Sequence, residues 1–331
     1  MPELRRDPVL GRWVIISTER GKRPNDFASE TEPETGKFCP FCPGNEDKTP
    51  PEVLVYAPAG REKNKQGWTL RGVPNKFPAL QIEGDIRREA QGMYDKMNGI
   101  GAHEVLIESP EHGKEIPDMD DKKVEEIIWG YRDRIIDLRK DTRFEYIMVF
   151  KNKGSAAGAS LSHPHSQLIA TPMVPVRVKQ NMVGAKQYFD FKERCVFCDM
   201  ITEELTHNIR VVSENDQFVA FEPFAARFPF ETWIMPKTHD SHFEDIQKHE
   251  ATDFAKILRN TLHRLKLVLD DPPFNYILNN APLKDPSLPH FHWHMEIIPK
   301  LSRIAGFEWG TGFYINPTPP EEAAQFLKEA E

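Results

Sequence analysis

The chain has 331 residues, 39% of them hydrophobic and 28% charged, the balance of an ordinary globular protein long enough for two medium domains. Its formal net charge of −8 argues against the basic stripe of a nucleic-acid binder, so any phosphate must be held by a few local donors. No apolar run approaches the roughly 18 residues of a membrane span, and the opening MPELRRDPVLGRW has no apolar signal core; neither a membrane nor a nucleic-acid partner is expected, and the cytoplasm is the expected compartment.

Along the chain, the first landmark is Cys39-Pro-Phe-Cys42. All four cysteines lie in this pair and a second, Cys195 and Cys198. In a long chain without a signal peptide, such pairs read as metal sites ahead of redox pairs. Next, HEVLIESPEH from His103 to His112 is a β-branched, apolar strand ending in histidine. Val124, Ile127, Ile128, Tyr131, Ile135 and Leu138 then recur at helical spacing, with Asp120 or Asp121 as the N-cap. A strand follows at Tyr146 (YIMVF), and after it KNKGSAAGASLSHPHSQ, Lys151 to Gln167. The small residues there leave backbone N–H groups open to phosphate oxygens, although the Gly-Lys-Ser/Thr ending of a Walker loop is missing.

Residues 172–194 are proline-bearing and polar, a natural boundary. Beyond them the order repeats. FETWIMPKTH from Phe230 to His239 answers the first strand; Phe254, Ile257, Leu258, Leu262 and Leu265 mark a second helix; Tyr276 opens a second tyrosine-led strand; and HWHMEII answers SHPHSQLI. The pattern predicts an α+β fold built as a tandem pair of halves, 1–175 and 190–331, each a mainly antiparallel sheet with one long helix.

The repeat also supplies two zinc sets in register, Cys39, Cys42, His112 and His163, then Cys195, Cys198, His239 and His292. Two thiolates and two imidazoles close a tetrahedral site and leave no position for water, so both are expected to be structural. By the same alignment His103 falls opposite Phe230, and His290 opposite Leu161, and neither is expected to be a ligand.

Strand alternation puts His163, His165 and Gln167 on one face, about 6.6 Å apart at each second residue. With His163 on zinc, His165 is free. A neutral imidazole attacks phosphorus well and leaves well once phosphorylated, while Gln167 can donate to charge developing on phosphoryl oxygens. The second half has Glu296 in place of Gln167 and lacks the small-residue loop. A carboxylate there would repel phosphate, so His294 is expected to be silent.

His-Pro-His-x-Gln after a small-residue loop resembles the active-site signature of the galactose-1-phosphate uridylyltransferase family, a branch of the histidine triad superfamily. RDPVLGRWVIIS, ERGKRP, CPFCPG, NKFPAL, ESPEH, FPFETWIMPKTH and GFYINP look like further family segments, so the likeness spans nearly the whole chain. It implies ping-pong transfer in which a nucleotide-sugar nucleotidylates His165, a sugar-1-phosphate leaves, and a second phosphate acceptor collects the group. It further implies that the His163 carbonyl orients the nucleophile's other nitrogen. Asn152, Gly158 and Ser160 would hold phosphates, Asn75 and Phe77 would contact base or ribose, and Arg20 and Arg23 would reach the partner's nucleotide in a homodimer. Phe307 and Glu308 would touch the sugar.

Two departures point to the ADP-glucose phosphorylase branch. The second metal set has two cysteines where the familiar bacterial enzymes use glutamate and histidines, and GFEWGTGFYINP replaces their usual hexose segment. Lys76 also stands where uridylyl enzymes commonly carry Asp, which leaves uracil or adenine open. The expectation is UDP-glucose:hexose-1-phosphate uridylyl transfer, with adenylyl transfer from ADP-glucose to phosphate as the alternative. A phosphoramidate hydrolase and a zinc-knuckle binding protein are the more distant readings, disfavoured by Gln167 and by the acidic charge.

Overall fold

The computed structural model describes residues 3–10, 13–16 and 38–330. In chain order the regular elements are β1 (Glu3–Arg6), β2 (Trp13–Ile16), β3 (Leu54–Tyr56), β4 (Leu70–Pro74), β5 (Glu89–Gln91), β6 (Tyr94–Lys96) and β7 (Ala102–Ile107). Then come α1 (Asp121–Leu138), β8 (Tyr146–Lys153), β9 (His165–Thr171), α2 (Val176–Lys192), α3 (Val196–His207), β10 (Val211–Glu214), β11 (Phe218–Phe221) and β12 (Thr232–Pro236). The chain finishes with α4 (Lys248–Val268), β13 (Phe274–Asn279), β14 (His294–Pro299), α5 (Gly306–Thr311), β15 (Tyr314–Asn316) and α6 (Pro320–Glu329).

The fold is α+β, dominated by one ten-stranded sheet in the order β10-β11-β12-β14-β13-β8-β9-β7-β4-β3. Every pairing in it is antiparallel. The strands on either side of residue 175 therefore join one sheet, through the β8–β13 pairing. A small sheet, β1-β2-β15, ties the N-terminal strands to the C-terminal one.

Alternation divides the large sheet's residues between two faces. One face meets α1 and α4. Asp120 caps α1 by accepting from the Lys123 N–H at 2.9 Å, and the six apolar residues of its predicted stripe are all buried. At roughly 1.5–3 kcal/mol each, that stripe is what pins the helix to the sheet. In α4 the predicted stripe is likewise buried, and Gln247 and Glu250 form a reciprocal capping box. The core these helices share with the sheet includes Leu106, Val149, Leu168, Tyr276, Leu278, Met295 and Ile297.

The opposite face carries the cysteine knuckles. Cys39, Phe41, Val105 and Ile107 pack together at one end of it. Cys195, Phe197, Trp233 and Met235, with Val9 and Ala185, pack at the other.

Residues 172–194, expected to be a polar connection, contain α2, seventeen residues long. Its composition hides the helix because only Val178, Asn181 and Ala185 are buried, a narrow stripe of spacing three and four that a mostly polar sequence masks. No Pro interrupts residues 176–192, and Gly184 lets the helix approach the Val9 carbonyl where a Cβ would collide. Among the described residues, no helix is long and apolar enough to cross a membrane.

Candidate active site and metal centres

The ligand atoms of Cys39, Cys42, His112 and His163 lie within 4.8 Å of one another, as do those of Cys195, Cys198, His239 and His292. In the first cluster the Cys42 sulfur is 3.4 Å from His112 Nδ1 and 3.7 Å from His163 Nδ1. In the second the Cys198 sulfur is 3.4 Å from His239 Nδ1 and 3.7 Å from His292 Nδ1. The outward ring nitrogens are engaged elsewhere. Nε2 of His163 donates to the Ser109 carbonyl at 2.8 Å, that of His239 to Leu288 at 3.0 Å, and that of His292 to Pro236 at 2.8 Å. His112 Nε2 meets the Ser162 hydroxyl at 3.2 Å.

A ring whose Nε2 carries the proton offers an Nδ1 lone pair, and all four rings turn that atom toward the sulfurs, as an imidazole does when its other nitrogen is held for it to bind a metal. Burial, together with the neighbouring Cys39, pushes the Cys42 thiol up to about 11, whereas hydrogen bonds from Cys198, His239 and His292 hold Cys195 well below the thiol range. Crowded thiols that resist joint ionisation are what a divalent cation relieves, and the donor sets fit zinc.

His163 lies just ahead of β9, and His165 and Gln167 are its first and third residues. The His165 Nδ1 donates to the His163 carbonyl at 2.7 Å, leaving its Nε2 lone pair free. The Phe41 ring stands edge-on to the imidazole at 5.4 Å. Burial first, and the nearby Lys151 ammonium, push the His165 imidazole below the ordinary histidine range, so it is neutral at pH 7, the form that attacks phosphorus. Lys151 is itself buried against Glu108 at 2.6 Å and Glu115 at 3.0 Å.

Register brings the other polar groups alongside. Phe150 pairs with Gln167, so the same antiparallel register carries Asn152 to the position beside His165 and on its face. The loop after β8 turns at Gly154 and Gly158, with φ of +80° and +88°, a conformation open to glycine. Ser160, which follows, is exposed.

Gln167 accepts a hydrogen bond from His103 Nε2 at 2.8 Å, and Asn75 is 3.2 Å from that same nitrogen. Phe77 is 83% exposed beside them. Among the described residues, the hydrogen bonds and ring contacts of Phe307 and Glu308 stay within residues 305–313 and do not reach His165. Arg20 and Arg23 lie outside the described residues.

His103 is the residue that aligning the two strands by their terminal histidines discards. Pairing sets Val105 against Gln167 and Trp233 against Glu296, so in register His103 answers Glu231 rather than Phe230. The first strand has one more residue before His112 than the second has before His239, and a slip of one reverses the face. The signal was in the sequence, as a histidine at even spacing from Val105 and Ile107.

The second centre has been closed. His294 repeats the geometry of His165, its Nδ1 donating to the His292 carbonyl at 3.0 Å, but its ring is stacked on Trp233 at 4.9 Å and faces Phe197 at 5.3 Å. Glu296 is not the bare charge expected. It is bonded to buried Arg227, which also grips Glu231. The remaining cavity, beside Asp7, Asn181, His294 and Glu296, is about 10 Å³, room for no more than one water. Packing is what excludes a phosphate.

One ten-stranded antiparallel sheet thus carries two Cys2His2 clusters and, beside the first of them, a His-x-His strand. The N-terminal domain model for galactose-1-phosphate uridyl transferase matches residues 1–175, and a model for a domain of unknown function matches residues 119–329. The chain is 40% identical to ADP-glucose phosphorylase of Arabidopsis thaliana, over 99% of this chain and 93% of that one. It is 32% identical to galactose-1-phosphate uridylyltransferase of Thermotoga maritima, over 100% and 99%. Among solved structures, that of the Arabidopsis thaliana ADP-glucose phosphorylase with bound ADP-glucose superposes with a TM-score of 0.85 at 38% identity, covering both chains completely. The chain belongs to the galactose-1-phosphate uridylyltransferase family, and it is an enzyme of the nucleotidylyltransferase class.

Proposed function

We propose that this enzyme transfers a nucleotidyl group from a nucleotide-sugar by way of a covalent bond to His165, and that its nucleotide-sugar is ADP-glucose. His165 Nε2 attacks the α-phosphorus, the bond from that phosphorus to the bridging oxygen breaks, and glucose-1-phosphate leaves. Inorganic phosphate then attacks the same phosphorus, the N–P bond breaks, and ADP is released. The observation that carries the covalent step is the 2.7 Å hydrogen bond from His165 Nδ1 to the His163 carbonyl. It keeps the proton on Nδ1, aims the Nε2 lone pair outward, and lets the ring depart as neutral imidazole in the second half-reaction. Gln167 and Asn152 stand beside it as donors for the phosphoryl oxygens, with Gly158 and Ser160 on the loop and Asn75 and Phe77 toward the nucleoside. Arg20 and Arg23 keep the family role of reaching the partner's nucleotide, Phe307 and Glu308 that of touching the sugar, and the working species is a homodimer in the cytoplasm.

Adenine over uracil rests on the 40% identity to an ADP-glucose phosphorylase against 32% to a uridylyltransferase, and on two cysteines in the second metal set. UDP-glucose:hexose-1-phosphate uridylyl transfer is the second reading, favoured by the family model over residues 1–175. Both metal clusters hold structural zinc, which keeps the knuckles folded onto the sheet. The chain is a tandem pair of histidine-triad-like halves, 1–175 and 190–331. This is supported by a strand order that reads the same way outward from the β8–β13 junction.

Incubation with ADP-glucose or UDP-glucose followed by intact-mass measurement tests the reading. An adenylyl adduct on the wild type, absent in His165→Ala, is expected. A uridylyl adduct alone selects the second reading, and an adduct that persists in His165→Ala defeats both.

A further inference from the structure

Two side-chain amides beside His165, those of Gln167 and Asn152, each have a carbonyl end and an NH2 end. Only the NH2 end suits a phosphate. Which end faces outward is decided by a chain of hydrogen bonds that ends, in both cases, on a backbone group that cannot turn around.

For Gln167 the fixed group is the Ala79 N–H, which donates to His103 Nδ1 at 3.1 Å. An Nδ1 that accepts carries no proton, so His103 Nε2 must carry it and donate. Its acceptor is the Gln167 oxygen at 2.8 Å. Asn75 cannot take that role: its oxygen is turned to the Phe77 N–H at 2.9 Å, so the atom facing His103 Nε2 at 3.2 Å is its NH2, a donor, which forms no hydrogen bond with a protonated Nε2. The Gln167 oxygen is thereby held, and its NH2 is left for another partner. His103 sits opposite Ile169, diagonal to Gln167 on the same face, within reach for long side chains.

For Asn152 the fixed group is the Ala157 carbonyl. Asn275 Nδ2 donates to it at 2.8 Å and to Asn152 Oδ1 at 2.7 Å. The Ala157 oxygen can only accept, so the atom of Asn275 that faces it is nitrogen, and the atom of Asn152 that meets this nitrogen is oxygen. Asn152 Nδ2 is left beside Gly158, 3.7 Å from where a Cβ on that glycine would stand. Asn275 is the direct cross-strand partner of Asn152 across the β8–β13 junction, so this constraint comes from the other side of residue 175.

We infer that His103 and Asn275 are positioning residues that tie down the oxygens of Gln167 and Asn152, so that both NH2 groups are presented to the anionic phosphates of a nucleoside diphosphate before it binds. This rests on the nucleotidyl-transfer reading and deepens it. Neither residue needs to touch substrate. A hydrogen bond to an ionised group is worth more than one between neutral groups, and a pre-set amide gives it without reorganisation in the transition state.

The test is a pair of mutant cycles read as the rate of nucleotidyl-enzyme formation, by rapid quench and intact mass, with whichever nucleotide-sugar labels the wild type. His103→Ala removes the donor to Gln167. Asn275→Asp keeps shape but offers only acceptors, so it repels the Ala157 carbonyl and draws the Asn152 NH2 away from the loop. Each is expected to slow labelling about tenfold to a hundredfold, the span of one charged hydrogen bond. In the Gln167→Ala background His103→Ala is expected to cost less than about twofold further, because a positioning residue has no effect once its client is gone, and Asn275→Asp is expected to lose most of its cost in Asn152→Ala, keeping only what the Ala157 carbonyl contributes. His103→Gln, which restores a side-chain N–H donor, is expected to recover part of the rate. Melting temperature and zinc content, measured in parallel, separate misfolding from mispositioning. Multiplicative effects in the double variants, or full-rate labelling by both single variants, overturn the inference while leaving covalent transfer standing. A wild type that takes no label overturns both.

Discussion

Truncating Arg227 to Met tests how the second centre is held shut. The guanidinium is 1% exposed. It donates to Glu231 Oε1 at 2.6 Å and 3.0 Å and binds Glu296. Removing one partner of a buried ionic network costs about 3–5 kcal/mol, because a charge is left uncompensated. The two carboxylates differ in what remains to them. Glu231 keeps the Arg227 backbone N–H at 2.7 Å and the Trp233 indole N–H at 3.1 Å. Among the described residues Glu296 keeps only His294 at 3.7 Å and half-exposed Arg177 at 4.0 Å. One stranded charge rather than two puts the expected loss at the lower end, about 3 kcal/mol at neutral pH.

The pH dependence carries a definite sign. Burial pushes the Glu296 carboxyl up, but Arg227 and His294 outweigh it and hold it at about 2 in the intact protein. Its contribution is therefore present above the unfolded-state carboxylate pKa and lost as pH falls toward 2. In Arg227→Met the largest opposing contribution is gone and burial outweighs the distant His294, so the folded-state pKa is expected to rise above the unfolded value and the variant to take up a proton on folding. The stability difference from wild type should then narrow as the pH is lowered from 7.5 to 5.5, by up to about 1.4 kcal/mol per unit. Urea unfolding at the two pH values, followed by tryptophan fluorescence, measures both numbers. A further Glu296→Leu change should restore most of the loss. A variant within about 1 kcal/mol of wild type at pH 7.5, or a gap that widens in acid, refutes the reasoning.

Metal analysis of the purified protein is expected to give close to two zinc ions per chain, and Cys198→Ser, at the 3.4 Å contact with His239, to lower this toward one while sparing the first cluster. Gly158→Ala forces an L-residue to φ +88° and should cost about 1 kcal/mol in melting experiments, with a raised KM for the nucleotide-sugar as the loop shifts; an unchanged KM would remove that loop from phosphate binding. Gly154→Val would drive a side chain into Pro273, which already stands 2.9 Å from where a Cβ would lie, and should lower the melting temperature more than Gly158→Ala does.

The sequence alone determined the two cysteine–histidine clusters and the buried helical stripes of α1 and α4. Cysteine spacing, helical period and the His-Pro-His run are local features that a second occurrence in the same chain makes unambiguous. A helix with a three-residue buried stripe was hidden in 172–194, because amphipathicity that narrow is indistinguishable from polar linker until Val9 is known to lie against it. His103 and Asn275 were decided by the tertiary structure, since which residue faces which across a strand pair depends on register, and one extra residue before His112 changes the face of everything upstream of it. The closing of the second centre was decided in the same way. Glu296 reads as a bare negative charge along the chain, and only the fold brings Arg227 to neutralise it and Trp233 to cover the ring of His294.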